Sequence, residues 1–526
     1  MNTKQLRQKI LDLAIRGKLV PQDSNDEPAS KLLERIRAEK EQLIKNKKMK
    51  RDKNESYIFV GDDKLHYEKF AGGSVVCIED EIPFEIPESW EWCRLSEICI
   101  KLVDGAHNPP KGEDNKTDYI MASSTNINND TLVELEKVRY LSKENFISEN
   151  ARTNLKIGDI LLTTVGTLGR SCVYDNDLKL CFQRSVTVIT TLLFNHYLKN
   201  FFDSNFFQEI MIKEGTGTAQ KGFYLNQLSN VLIPVPPIDE QKRISEYISQ
   251  LSALIKNVDN NKIILYNLIK KTKAKVLDLA IRGKLVPQDP NDEPADKLLE
   301  KIREEKEKLI KESKLKRDKN ETYIFKNSDD NSYYEQIDGE TVCIDDDLPF
   351  EIPNSWRWCS LGNIGDWGAG STPNRNKFEY YNNGTIPWLK TGDLNDSFIE
   401  NIPEHITEQA LKETSVSIKP KGSILIAMYG ATIGKLGILN IDSTTNQACC
   451  ACQCIYINNL YLFYYLMSQR NNFKKMGLGG AQPNISRELL VNYYFALPPI
   501  NEQLKIVSKI KDIFAQLDTI QEIFNK

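Results

Sequence analysis

The chain has 526 residues, 40% of them hydrophobic and 27% charged, with a formal net charge of −4. That size allows two large domains with ample core, and the slightly acidic total excludes a chain that simply coats a polyanion, so any nucleic-acid surface must be local or shared with partners. No apolar run reaches membrane length and the polar start MNTKQLRQKILDLAIRGKL is no secretory signal, so a cytoplasmic location is expected.

From the N-terminus, Leu6, Ile10 and Leu13 fall at helical spacing. The segment DLAIRGKLVPQD at 12–23 then returns letter for letter at 278–289, in a register of 266 residues. That register holds through NDEPA (25 and 291), KLLE (31 and 297), RDKNE (51 and 317), YIF (57 and 323), VCI (76 and 342) and PFEIP (83 and 349) to the SWxWC of Ser89–Cys93 and Ser355–Cys359. The chain is therefore two related units in tandem. In each, Asp26 or Asp292 is placed to cap a second helix, Pro28 or Pro294 fits its first turn, and Leu32, Leu33, Ile36, Leu43 and Ile44 line one face. The basic runs Lys40–Lys53 and Lys306–Lys319 read as solvated helix ends. Polar, irregular stretches are expected at 54–80 and 320–346. Trp90, Trp92, Trp356 and Trp358 repeat with the scaffold and read as packing residues, as do Cys77/Cys343 and Cys93/Cys359.

Beyond each PFEIPxSWxWC the copies diverge. Short glycine-punctuated strands (DILLTTV, SVTVITT, SILIAMY, LGILNI) and helical stretches around Leu193–Glu214 and Tyr456–Met476 predict mixed α/β domains with exposed loops. Faint parallels survive: GDILLTTVGTLGR with GSILIAMYGATIGK, Phe182-Gln183-Arg184 with Asn446-Gln447-Ala448, GTGTAQ with GLGGAQ, and PPIDEQ at 236–241 with PPINEQ at 498–503, by then in a register of 262. One scaffold presents two different surfaces.

After Pro236-Pro237, the apolar positions Ile244, Ile248, Leu251, Ile255, Val258, Leu265, Ile269, Val276 and Leu279 follow a four–three alternation broken by Lys262 and Thr272. This is a heptad seam and predicts a long coiled-coil helix, stopped by Gly283 and Pro287. At the C-terminus Ile506, Ile510, Ile513, Leu517, Ile520 and Phe524 copy its first half, while the N-terminal helix copies its second. The chain thus reads as a ring of two units opened inside one helix, whose ends would form a composite antiparallel partner for the central helix, about an approximate twofold axis.

Chemistry is sparse. Eleven cysteines are not spaced as a disulfide framework, and Cys449-Cys450-Ala-Cys452-Gln-Cys454, with no histidine nearby, reads as a half-buried strand rather than a metal site. Asn108-Pro109-Pro110 approaches the NPPY/F element of amino-methyltransferases, but Lys111 stands where an aromatic must clamp the base. Gly368-Ala369-Gly370 is a poor cofactor loop, and Gly430–Lys435 has too few residues between its glycines for a phosphate loop. His66, His107, His196 and His405 form no triad. No active centre is expected.

Together the IPESWEW and IPNSWRW entries, DGAHNPPK, GSTPNR, IPWLKTGDL, TTNQA, GGAQPNIS and the doubled PPI(D/N)EQ helix start resemble the specificity subunit of type I restriction-modification systems, over essentially the full chain. The resemblance implies an α/β fold with two target-recognition domains (81–236 and 347–498), joined by helical regions at 1–53, 237–319 and 499–526 in circular pseudosymmetry. It implies no activity alone. The partners would be double-stranded DNA, two adenine-methylating modification subunits and two restriction-translocation subunits, and S-adenosylmethionine, ATP and Mg²⁺ would belong to those partners. Two other readings stay open: the DNA reader of a system in which one partner both cuts and methylates, and a coiled-coil scaffold without DNA specificity.

Polar side chains on glycine-rich loops suit base edges, and lysine or arginine suits phosphate or guanine. The candidates in the first domain are Asp104, His107, Lys111, Ser124, Asn126, Thr167, Arg170, Gln183, Arg184 and Lys221. In the second they are Ser371, Thr372, Arg375, Lys390, Thr391, Asp393, Tyr429, Lys435, Gln447, Gln482 and Asn484.

Overall fold

Asn2 and Gln5 exchange side-chain and backbone hydrogen bonds, a capping box that opens the N-terminal helix Thr3–Ile15. The helix ends before Gly17, whose φ of +66° favours glycine and where a Cβ would lie 2.3 Å from Pro87. Gly283 repeats this after the central helix, with φ +66° and Pro353 at 2.4 Å. The computed structural model describes residues 2–52, 55–216, 221–318, 322–337, 339–477 and 484–525. They divide into two units, 1–261 and 262–526, and the boundary falls inside the central helix Ile238–Ile281.

Each unit opens its variable part in the same way. In the first, helix Ala29–Lys45 buries Leu32, Leu33 and Ile36, each worth about 2 kcal/mol. Asp26 does not cap this helix, contrary to the sequence reading. Its carboxylate takes the Arg243 guanidinium of the central helix, while Ala29 N donates to Ser89 O. The second unit matches: Asp292 binds Lys505 and Asn501, and Ala295 N donates to Ser355 O.

The stretches expected to be irregular hold antiparallel sheets instead. Strands Ser56–Val60, His66–Phe70 and Val75–Cys77 pair in order, as do Tyr323–Lys326, Tyr333–Ile337 and Glu340–Cys343. The inward position of the middle strand is Glu68, bonded to Arg94 and Ser56, which breaks the apolar alternation that marks a strand.

Two-stranded ladders then close each variable domain, Glu91–Arg94 with Leu232–Val235 and Arg357–Ser360 with Tyr494–Leu497. Here the repeated motifs find their purpose. Trp90 Nε1 donates to Glu240 at 3.0 Å and Trp356 Nε1 to Glu502 at 2.8 Å. Gln22 and Gln288 donate to the same two carboxylates. Gln241 accepts from Phe194 N and donates to Pro236 O, and Gln503 does the same with Asn458 N and Pro498 O. Burial pushes both glutamates up from the usual carboxylate range despite these donors.

Inside the first variable domain, an antiparallel sheet orders Ser171–Val173, Ile160–Thr163, Val186–Thr191 and Cys99–Asp104. A second sheet has Tyr119–Ala122 between Lys179–Phe182, parallel to it, and Arg139–Tyr140. In the second unit the larger sheet runs Gly365–Ala369, Cys449–Cys454, Ile424–Ala427, Leu436–Leu439, Phe398–Ile399. The cysteine strand is buried on both faces, Cys450 and Cys452 in one core and Cys449 and Ala451 in another, rather than half-buried. No three His, Cys, Asp or Glu among the described residues are grouped to hold a metal, and no described helix is long and apolar enough to cross a membrane.

Candidate nucleic-acid interface

In the first unit, strand ends from both sheets meet along one rim. Gly105 lets two segments touch: a Cβ there would sit 2.2 Å from the Phe182 carbonyl oxygen and 2.5 Å from that of Gln183. Ala106 N donates to Phe182 O, Arg184 N to Ala106 O, and Gln183 N to Ala122 O. Ser124 N reaches Ser185 Oγ at 3.1 Å, Thr164 N reaches Ser185 O, and Gly166 N reaches Lys221 O. The backbone thus gathers the segments around Asp104–His107, Ser123–Thr125, Val165–Thr167, Gln183–Ser185 and Lys221.

The candidates on this rim differ in availability. His107, Lys111, Arg184 and Lys221 are exposed, and Gln183 and Thr167 half-exposed. Asp104 is committed: Arg152 binds its carboxylate and its carbonyl, and His107 Nε2 lies 2.6 Å from Oδ2. Burial works to raise this carboxyl, but the bonds from Arg152 and His107 outweigh it and hold it below the usual range. Asp104 therefore orients His107. Ser124 is buried. Asn126 is 3% exposed, its Oδ1 on Ser123 N and its Nδ2 on Val133 O and Glu134 O, so it caps a turn instead of facing solvent. Arg170 turns away from the rim and bonds Ile127 O.

The second unit repeats the layout with other side chains. A Cβ on Gly370 would fall 2.1 Å from Thr445 O. Ser371 N donates to Thr445 O, Asn446 N to Leu389 O, Met428 N to Ala448 O and Ile485 N to Met428 O, with Tyr429 bridged to Asn484. Thr372, Gln447, Tyr429 and Asn484 are exposed, and Thr372 donates to Gln447. Ser371 is half-exposed and accepts from Ser415 and, at its carbonyl, from Trp388. Arg375 and Lys390 both pair with Glu404, and the Arg375 guanidinium lies 4.5 Å from the Trp388 ring centroid. The Arg375 hydrogen bond, against burial, holds the Glu404 carboxyl below its usual range. Asp393 accepts from Lys390 N and caps a turn, with half-exposed Thr391 beside it. Lys435 reaches Leu394 O. Gln482 lies outside the described residues, as does most of GTGTAQ.

Sequence reasoning missed several rim residues. Ser185 and Arg152 hold it together, Thr125 and Tyr224 are exposed on or beside it, and Glu404 neutralises two of its cations. Ser185 carried a signal, standing directly after Gln183-Arg184. Arg152 and Glu404 carried none, being distant in sequence from the loops they serve.

The description "Type I restriction modification DNA specificity domain" matches residues 87–265 and 353–526, once in each unit. The chain belongs to that family. Its matched segments begin just before Trp90 and Trp356 and run into the helix after each variable domain, so they contain both rims. It is 28% identical to the type I restriction enzyme EcoEI specificity subunit of Escherichia coli, over 98% of this chain and 90% of that protein. The EcoAI specificity subunit of the same organism is also 28% identical, over 99% and 90%. A solved chain from a study of complex assembly and conformational transition in the type I R-M system shares the fold, with a TM-score of 0.54, 18% identity, and coverage of 84% of this chain and 94% of that one.

Proposed function

We propose that this chain is the sequence-specific DNA-binding specificity subunit of a type I restriction-modification complex. It reads an asymmetric bipartite target and positions modification and restriction subunits, and it has no catalytic role of its own. The observation that carries this is the pair of rims: the same backbone layout bears His107, Gln183, Arg184 and Lys221 in one unit and Thr372, Gln447, Tyr429 and Asn484 in the other. Such exposed groups suit base edges and phosphates. Each rim specifies one half-site. The central helix pairs with the two terminal helices as an antiparallel coiled coil about an approximate twofold axis and sets the gap between half-sites.

In this reading the partners are double-stranded DNA, two adenine-methylating modification subunits and two restriction-translocation subunits, in the cytoplasm. S-adenosylmethionine, ATP and Mg²⁺ are theirs, and they supply much of the phosphate neutralisation that a chain of net charge −4 does not supply alone. Methylation mapping by long-read sequencing in cells carrying the complex tests it. Two unlike half-sites separated by unspecified bases are expected, and a continuous or perfectly palindromic motif would refute it.

A further inference from the structure

A groove of about 810 Å³ in the first unit plays no part in base reading as described above. Its walls are the first turns of the N-terminal helix, the turn at Asn129–Asp130, the segment Leu168–Arg170, the start of helix Asn205–Glu214 and the central helix between Ser252 and Asp259. The floor is electrically closed. Arg7 bonds Asp130 and Asp203, each at 3.1 Å, and buried Lys199 bonds the same two carboxylates. Above it stand Lys4, Arg170 and Lys256, none of which has an anionic partner among the described residues, against one further carboxylate, Asp259.

The second unit closes the corresponding place. By the two registers Arg7 corresponds to Lys273, Lys256 to Asp518 and Ser252 to Phe514. Lys273 binds Asp518 and lies 5.0 Å from the Phe514 ring centroid. What is an ion pair over an aromatic ring in one copy is an open groove with spare positive charge in the other. Two of its walls, moreover, are continuations of the recognition rim: the turn at 129–130 follows Ser123–Asn126, and Leu168–Arg170 follows Val165–Thr167.

We propose that this groove is a sequence-independent phosphate site, in which Lys4, Arg170 and Lys256 hold the backbone of the duplex flanking the half-site read by the first unit. The proposal rests on the reading of this chain as a DNA-specificity subunit and adds an asymmetry to it: the second unit keeps Lys270 and Lys435 in the places of Lys4 and Arg170 but has Asp518 for Lys256, so this chain grips the flank of one half-site more strongly than the flank of the other. Each such contact releases counterions, adding about 0.9 to the slope of log K against log salt, while carrying no sequence information.

The test uses the full chain assembled with its modification subunits, on duplexes with and without the methylation-mapped target, from 50 to 200 mM salt. The Lys4→Gln/Arg170→Gln/Lys256→Gln variant should lose up to about 2.7 from the salt slope, so that its affinity falls about 40-fold less than wild type's across that fourfold range. It should weaken target and non-target DNA alike at low salt and leave the methylation motif unchanged. Because Arg170 also bonds Ile127 O, the Lys4→Gln/Lys256→Gln variant, altered only at exposed positions, guards against a folding defect and should lose about 1.8. Lys47→Gln/Lys48→Gln, in the basic run beyond the second helix, should leave the slope as it was. Unchanged slopes in both groove variants would overturn the proposal, as would a loss confined to one DNA sequence. Intact DNA binding with weakened subunit assembly would overturn it too, by assigning the groove to an acidic protein partner. Failure of the wild-type complex to bind any duplex would refute the underlying reading instead.

Discussion

Glu97 gives the sharpest test of the packing. It is 5% exposed, its Oε1 accepts from Arg37 at 2.7 Å, and its Oε2 has no hydrogen-bond partner among the described residues. Burial drives the carboxyl from 4.5 up to about 7, against the pull of Arg37 and Lys40. Folding therefore favours the protonated form. The stabilisation is fully present below about pH 4.5 and lost as pH rises through about 7. The difference of some 2.5 pK units corresponds to about 3 kcal/mol. In Glu97→Gln, which keeps an acceptor for Arg37, that dependence should vanish. The second unit already carries the neutral Asn363 at the equivalent position, where its Nδ2 bonds Thr322 O. Pulse proteolysis in urea, read through peptides of residues 29–52 by mass spectrometry, gives the stability of the first unit from pH 4.5 to 8. The variant should gain about 3 kcal/mol relative to wild type across that range. Parallel curves would mean that the carboxyl is solvated, and the reasoning would fail.

Glu502→Ala should leave the buried Trp356 indole N–H unsatisfied, costing about 1–3 kcal/mol, and a double-mutant cycle with Trp356→Phe should show coupling in urea unfolding. Gly17→Ala and Gly283→Ala should each lower stability by at least about 1 kcal/mol, since both have φ +66° and no room beside Pro87 or Pro353; a midpoint equal to wild type would contradict the turn geometry. Asn126→Ala should destabilise the first variable domain by about 1–2 kcal/mol, whereas Gln183→Ala should keep stability and relax one position of the methylation motif, which mapping would reveal. The double substitution Arg375→Gln/Lys390→Gln should raise Glu404 towards the ordinary carboxylate range, measurable by NMR titration; a value that stays low would show the pairs to be incidental.

The repeat, the long helix and the packing role of the tryptophans were legible because they rest on long periodic patterns or on identity between copies. The small sheets at 56–77 and 323–343 were not, since in the first of them Glu68 occupies an inward position that the pattern reserves for an apolar residue and is made tolerable by Arg94 and Ser56. Loop residues could be chosen from the sequence by their chemistry, but not sorted into those that face solvent and those that cap turns. A Ser or Asn that reads a base and one that caps a turn have the same chemistry, and only the fold shows that Asn126 and Asp393 spend theirs inward while Gln183 and Gln447 do not. Arg375 and Lys390 look like free cations in sequence, and Glu404 changes that.

The tryptophan clamps also say where nature can cut and paste this protein. Gln22, Trp90, Glu240 and Gln241 all lie outside or at the margins of the variable part, and what the interior contributes to Gln241 is a backbone N–H, that of Phe194. For this clamp a foreign segment spliced in between about Cys93 and Leu232 needs only to present a main-chain donor, while Arg7 and Arg37 ask it for carboxylates in the places of Asp130, Asp203 and Glu97. Recombination within those limits exchanges the reading head in a single event and leaves the scaffold's own part of the clamp, Gln22, Trp90, Glu240 and Gln241, in place. A lineage can in this way acquire a new target faster than point mutation of the rim would allow.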